Sequence, residues 1–126
     1  MNLEHLKERL SILKEGSAIS ARAAETTIMA FEHLAVQLNK EGITQSEMLF
    51  THLPVALTRI EKGESVEAPH EGLLKEVEQA PEASMAKQFI RHVEGLWGGP
   101  LPKEETDFLL IHYTTILRLN KGGDGE

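Results

Sequence analysis

Two histidines draw attention because each lies seven positions from a charged residue: His52 precedes Arg59, and Glu105 precedes His112. Seven residues make almost two turns of a helix, so the members of each pair would lie within about 20° of each other on one face. An imidazole beside a guanidinium can receive an anion, and an imidazole beside a carboxylate can be held in one orientation. From spacing alone, a solvated edge pair at His52 and a structural core histidine at 112 are open alternatives.

The helix that would carry His52 is predicted from an apolar stripe over residues 48–60. Thr44 and Glu47 form a capping-box pattern, which places the helix start at Thr44, with a later start as the alternative. Pro54 lies inside this helix, and its missing backbone N–H predicts a kink just before it.

The helix that would carry His112 is predicted to begin at Pro102, after the break Gly98–Pro102, and to run to Leu119. Within it, Glu105 and His112 share a face about 60° wide with Leu109 and Ile116. We therefore expect His112 near the middle of an apolar face.

The rest of the chain also shows helical rather than strand periodicity. Together these patterns predict an all-α protein, a compact bundle of five to six helices. We expect a single domain over residues 1–119 and a flexible tail over 120–126. The further helices are predicted at 2–14, 17–40, 72–79 and 81–97.

The other four histidines are given no chemical role. His5 and His33 are predicted to be solvated, His70 to be a loop or cap residue, and His92 to be a partly buried structural residue. No two histidines are three or four residues apart, so no single helix offers a chelating pair. We expect no metal and no cofactor, although a metal site assembled from separate helices is left open.

The composition narrows the possible partners. The chain has 126 residues, a formal net charge of −7 and no cysteine. The acidic balance and the absence of a basic stripe argue against nucleic acid or an anionic membrane as the main partner. No signal peptide or membrane-spanning run is evident, and a disulfide framework is impossible, so a cytoplasmic location is expected.

Two segments resemble the histidine motifs of the PTS regulation domain (PRD) family. The run His52–Ile60 (HLPVALTRI), followed by Lys62-Gly63-Glu64, is similar to the first motif. The run Leu101–His112 (LPKEETDFLLIH), with Glu105 seven before the histidine, is similar to the second. The two motifs occur in the family's order and spacing, and the resemblance covers roughly residues 17–119.

The resemblance implies a five-helix bundle, usually dimeric, whose two histidines accept phosphoryl groups. The donors would be the histidine phosphocarrier protein of the sugar phosphotransferase system or sugar-specific components of that system. On this resemblance His52 and His112 are phosphoacceptors, Arg59 is an anion partner near the first, and Glu105 orients or supports the second. The implied protein is a regulator and not an enzyme.

The sequence departs from most family members in carrying only one PRD. Within these 126 residues there is no room for an RNA-binding or DNA-binding module. We therefore expect a stand-alone module that acts in transcriptional or metabolic regulation through an unknown protein partner, without binding nucleic acid directly. The alternatives are a structural or interaction bundle without phosphorylation, and a metal- or ligand-binding helical protein.

Overall fold

A computed structural model describes residues 1–121, which form six helices and no strand. This confirms the all-α prediction of five to six helices. The last helix continues past Leu119, so Asn120 and Lys121 belong to it, while residues 122–126 of the predicted tail lie outside the described residues. The helices are α1 (Leu3–Glu15), α2 (Ala21–Leu38), α3 (Glu47–Glu61), α4 (Glu71–Glu78), α5 (Ala83–Trp97) and α6 (Lys103–Lys121).

The contacts within the chain divide it into two units. The first, Met1–Ser65, contains α1 to α3 and carries His52; the second, from Val66 onward, contains α4 to α6 and carries His112. The single domain expected over residues 1–119 stays a prediction.

The core of the first unit forms where α2 packs against α1 and α3. The rings of Phe31 on α2 and Phe50 on α3 meet edge to face, with centroids 5.0 Å apart. This arrangement suits the quadrupoles of two aromatic rings. The fully buried leucines of this unit come from all three helices: Leu6, Leu10, Leu34, Leu49, Leu53 and Leu57.

The start of α3 differs from the capping-box prediction. The helix begins at Glu47 with Ser46 as its N-cap residue, so the start at Thr44 was wrong and the later start is observed. Gln45 has a left-handed backbone (φ 59°), which a helix cannot include. The Ser46 hydroxyl donates to the carbonyl of Ile43 at 2.8 Å, so it closes the preceding turn instead of capping the helix.

The middle of α3 is joined to the start of α2 through one threonine. The helix is continuous across Pro54, and the Thr58 hydroxyl donates to the Pro54 carbonyl at 2.8 Å. The same Thr58 oxygen accepts a hydrogen bond from the backbone N–H of Ser20 at 3.0 Å. Ser20 in turn caps α2 by accepting from the N–H of Ala23. These bonds fix the position of the helix that carries His52.

In the second unit, α6 packs against both α5 and α4. The rings of Phe89 on α5 and Tyr113 on α6 are stacked, with centroids 5.3 Å apart. Gly98 ends α5 in a left-handed conformation (φ 101°), which glycine adopts without a Cβ penalty. The carboxylate of Glu94 then accepts a hydrogen bond from the N–H of Leu101 at 2.8 Å, and this contact sets the path into α6.

Two prolines lie just before helices and not within their first turns. Pro81 precedes α5, which begins at Ala83, and Pro102 precedes α6, which begins at Lys103. Both helix starts were therefore predicted slightly early. Both prolines lie in the connection between two helices, where a residue without a backbone N–H is tolerated.

Candidate functional site

His52 lies on α3 at the wall of an open groove of about 630 Å³. Its side chain is half-buried, so part of the imidazole reaches solvent. The groove belongs wholly to the first unit and is lined by Arg9, Gln45, Glu47, Met48, Thr51, His52 and Val55.

The groove contains a carboxylate whose charge is offset by a neighbouring amino group. The Glu47 carboxylate lies 3.4 Å from the N-terminal ammonium of Met1, which also donates to the carbonyl of Ile43. A backbone hydrogen bond at Glu47 itself lowers the pKa of its carboxyl, and the N-terminal charge and Arg9 lower it further. Glu47 is therefore ionised at neutral pH, with a cation already beside it.

A second cation, Arg9, reaches the groove from α1. Its guanidinium Nη1 donates to the Thr51 hydroxyl at 2.8 Å, and Thr51 directly precedes His52. Our sequence interpretation missed this residue. The available signal was weak: Arg9 borders the buried stripe of Leu6 and Leu10, but periodicity does not say which helix lies opposite.

Arg59, the predicted anion partner of His52, lies elsewhere on α3. It is exposed in the last turn of the helix and does not line the groove. Although seven residues return to the same helix face, they also rise by about 10 Å along the axis. The role predicted for Arg59 stays a prediction.

His112 lies on α6 with a half-buried side chain. Its ring packs against that of Phe108, one turn earlier, with centroids 4.2 Å apart and a tilt of 37°. The histidine therefore borders the buried face of α6 and does not lie at its centre, which Leu109 and Ile116 occupy.

Glu105, the predicted partner of His112, is fully buried in the first turn of α6. An acidic residue there benefits from the positive end of the helix dipole. Its expected role in orienting or supporting His112 stays a prediction.

The remaining histidines have simpler surroundings. His70 caps α4: its Nδ1 accepts a hydrogen bond from the N–H of Gly72 at 3.1 Å, as the cap prediction required. His5 is exposed, whereas His33 and His92 are half-buried. Within residues 1–121, no three His, Asp or Glu side chains come together in a group that could hold a metal ion.

Among the helices of residues 1–121, none has both the length and the apolar character needed to cross a bilayer.

The structure defines an all-α protein in which the two motif histidines, His52 on α3 and His112 on α6, are partly accessible. A family model described as "PRD domain" matches residues 28–115, a segment that includes both His52 and His112. The chain therefore belongs to the PRD family, whose domains are regulatory rather than catalytic. Neither a curated protein nor a solved structure matches it.

Proposed function

We propose that this PRD protein is a cytoplasmic histidine phosphoacceptor, with His52 and His112 as its phosphorylation sites. Its phosphorylation state would report the activity of the sugar phosphotransferase system to a protein partner. The observation that carries the proposal is the accessibility of the two motif histidines within the matched family segment, since each imidazole is half-buried on a helix and not enclosed in a core.

The chemistry requires little beyond an accessible neutral imidazole. A lone pair of the His52 or His112 ring attacks the phosphorus of a phosphohistidine on the donor protein. The donor N–P bond breaks as the new N–P bond forms, and the bonding electrons return to the donor ring. One proton leaves the acceptor ring and one is taken up by the donor ring, so the exchange is balanced. Positioning and charge neutralisation supply most of the catalysis in such transfers.

The expected donors are the histidine phosphocarrier protein of the sugar phosphotransferase system and its sugar-specific components. Membership of the PRD family supports an interaction with components of that system. The net charge of −7 disfavours direct binding to nucleic acid, so control of transcription or metabolism would pass through a protein partner.

Phosphorylation would alter the electrostatics of an already acidic chain. Each phosphoryl group adds roughly 1.5 to 2 negative charges at neutral pH. In a homodimer, which is the usual state that the resemblance implies, the added charge would appear on both copies and weaken a shared interface. Two apolar side chains of α2, Met29 and Val36, are exposed and available for such a contact.

The test is intact mass spectrometry after incubation with phosphoenolpyruvate, the first phosphotransferase enzyme and the phosphocarrier protein, with and without a sugar-specific component. The parent should gain up to two phosphoryl groups at neutral to mildly alkaline pH and lose them in acid. His52→Ala and His112→Ala should each remove one group, and the double variant should gain none. His92→Ala is the matched control, because His92 is also half-buried on a helix.

Uptake of phosphate by the double variant would refute the site assignment. A parent that gains nothing from any donor would refute the phosphoacceptor function. Light scattering of the purified forms, before and after phosphorylation, would show whether a dimer exists and whether the modification changes it.

A further inference from the structure

The groove at His52 is lined by one arginine, Arg9, which belongs to neither histidine motif. Arg9 lies on α1, upstream of the segment 28–115 that matches the family model, so neither histidine motif supplies it. Yet Arg9 and His52 line the same groove.

The contact that Arg9 makes leaves its charge available. Nη1 donates to the hydroxyl of Thr51 at 2.8 Å, and this acceptor is uncharged. A guanidinium has five N–H donors in a planar fork that matches two oxygens of a phosphoryl group. The hydrogen bond to Thr51 therefore holds the guanidinium at the groove that His52 also lines, without neutralising its charge.

The one carboxylate in the groove lining is balanced by another cation. Glu47 lies 3.4 Å from the N-terminal ammonium, which offsets part of its negative charge. Arg9 also lowers the pKa of the Glu47 carboxyl, but it does so less than the N-terminal ammonium. Among the residues that line the groove, Arg9 is the cation available to a doubly charged group on the His52 ring.

We propose that Arg9 is the positioning residue for phosphorylation of His52: its guanidinium, anchored by Thr51, binds the phosphoryl oxygens as they arrive on the imidazole. This inference rests on the proposed phosphoacceptor function and assigns a role within it. In this proposal α1 contributes to phosphorylation as well as to packing, because it carries Arg9 to the groove.

The experiment uses the full chain with His112→Ala, so that of the two proposed sites only His52 can accept a phosphoryl group. In this background, Arg9→Gln is compared with Arg9→Lys, Arg59→Gln and the control Arg22→Gln. Arg22 is an exposed arginine of the same unit that pairs with Glu61 outside the groove. The first readout is the initial rate of phosphoryl transfer from the phosphocarrier protein. The second is the pKa of the phosphoryl group on His52, titrated by ³¹P nuclear magnetic resonance after the donor has been removed.

Arg9→Gln should slow transfer about tenfold, the effect of losing one charge-assisted contact. It should also raise the phosphoryl pKa by about one unit, because a nearby cation favours the dianion. Arg9→Lys should recover part of both effects, whereas the control Arg22→Gln should behave like the parent. Only a cation close to the phosphoryl group moves its pKa, so a merely structural role would leave the second readout unchanged.

The remaining outcomes overturn the inference in distinguishable ways. If Arg9→Gln slows transfer but leaves the phosphoryl pKa unchanged, Arg9 recognises the donor protein and not the phosphoryl group. If both the transfer rate and the phosphoryl pKa of Arg9→Gln match those of the parent, the proposed role of Arg9 is wrong while the phosphoacceptor function stands. If Arg59→Gln alone raises the pKa, the motif arginine is the anion partner. If the parent takes up no phosphoryl group at His52, both proposals fail.

Discussion

Thr58 on α3 accepts a hydrogen bond of 3.0 Å from the backbone N–H of Ser20, the residue that caps α2. The same hydroxyl donates to the carbonyl of Pro54 within its own helix. One buried side chain therefore connects the start of α2 with the part of α3 that lies just after His52. This connection makes Thr58 a sensitive point for the stability of the first unit.

Thr58→Val should lower the free energy of unfolding by about 1–3 kcal/mol, because it leaves the partly buried Ser20 N–H without its acceptor. Thr58→Ser retains the hydroxyl and should lose less. Urea unfolding followed by circular dichroism measures both variants. Equal losses in the two variants would mean that the methyl group contributes as much as the hydroxyl, and an unchanged Thr58→Val variant would mean that the hydroxyl contributes nothing.

Tyr113→Phe should leave stability unchanged or raise it by up to about 1 kcal/mol. The Tyr113 hydroxyl is fully buried, and within the described residues it has no hydrogen-bond partner. The substitution removes that desolvated oxygen and keeps the stacking on Phe89. A loss above about 1 kcal/mol in urea unfolding would contradict this account, since losses of that size follow removal of a formed hydrogen bond.

The same tyrosine predicts a dependence of stability on alkaline pH. Burial raises the pKa of Tyr113 above its ordinary value of 10.0. The folded chain therefore keeps the phenolic proton at a pH where the unfolded chain releases it, and stability falls as the pH rises above about 10. The free energy of unfolding of Tyr113→Phe should therefore fall less steeply with pH than that of the parent. Unfolding measured from ~pH 9 to ~pH 11, about one unit either side of the ordinary tyrosine pKa, tests this. Parallel declines would exclude Tyr113 as the cause.

The lowered pKa of Glu47 predicts a smaller dependence of the free energy of unfolding on acidic pH. Its pKa is lowered from 4.5 in the folded chain, so its ionised form contributes stability that is present above about pH 4.5 and lost as the pH falls through the folded-state pKa. Because half of the side chain is exposed, the contribution should be only about 0.5 kcal/mol. Glu47→Gln should be less stable than the parent at pH 7 and indistinguishable from it in strong acid. Glu104→Gln, an exposed first-turn residue of α6, is the control.

The Arg9–Thr51 bond can be tested for stability separately from phosphoryl transfer. A double-mutant cycle with Arg9→Gln and Thr51→Val should give a coupling energy of about 0.5–1 kcal/mol, as for an exposed side-chain hydrogen bond. Thermal or urea unfolding of the four proteins supplies the cycle. Additive effects of the two substitutions would show that the contact does not persist in solution.

The sequence alone determined the fold class and most of the element order. Apolar residues recur with helical spacing throughout, so the number of helices and the break at Gly98 follow from local patterns. The two histidine motifs were also readable, because their residues lie close together in the chain, and the family match later enclosed both. The cap role of His70 was predictable for the same local reason.

Only the tertiary structure decided what surrounds each histidine. Helical periodicity predicts that Arg59 and His52 point in the same direction from the helix axis. It does not take account of the distance of about 10 Å between them along the axis. The groove receives Arg9, whose contact with Thr51 joins residues 42 positions apart. Likewise, the start of α3 depends on the Ile43 carbonyl, which binds both Ser46 and the distant N-terminal amino group. The Arg9–Thr51 and Met1–Ile43 contacts each join residues 42 positions apart, and no local pattern in the chain encodes them.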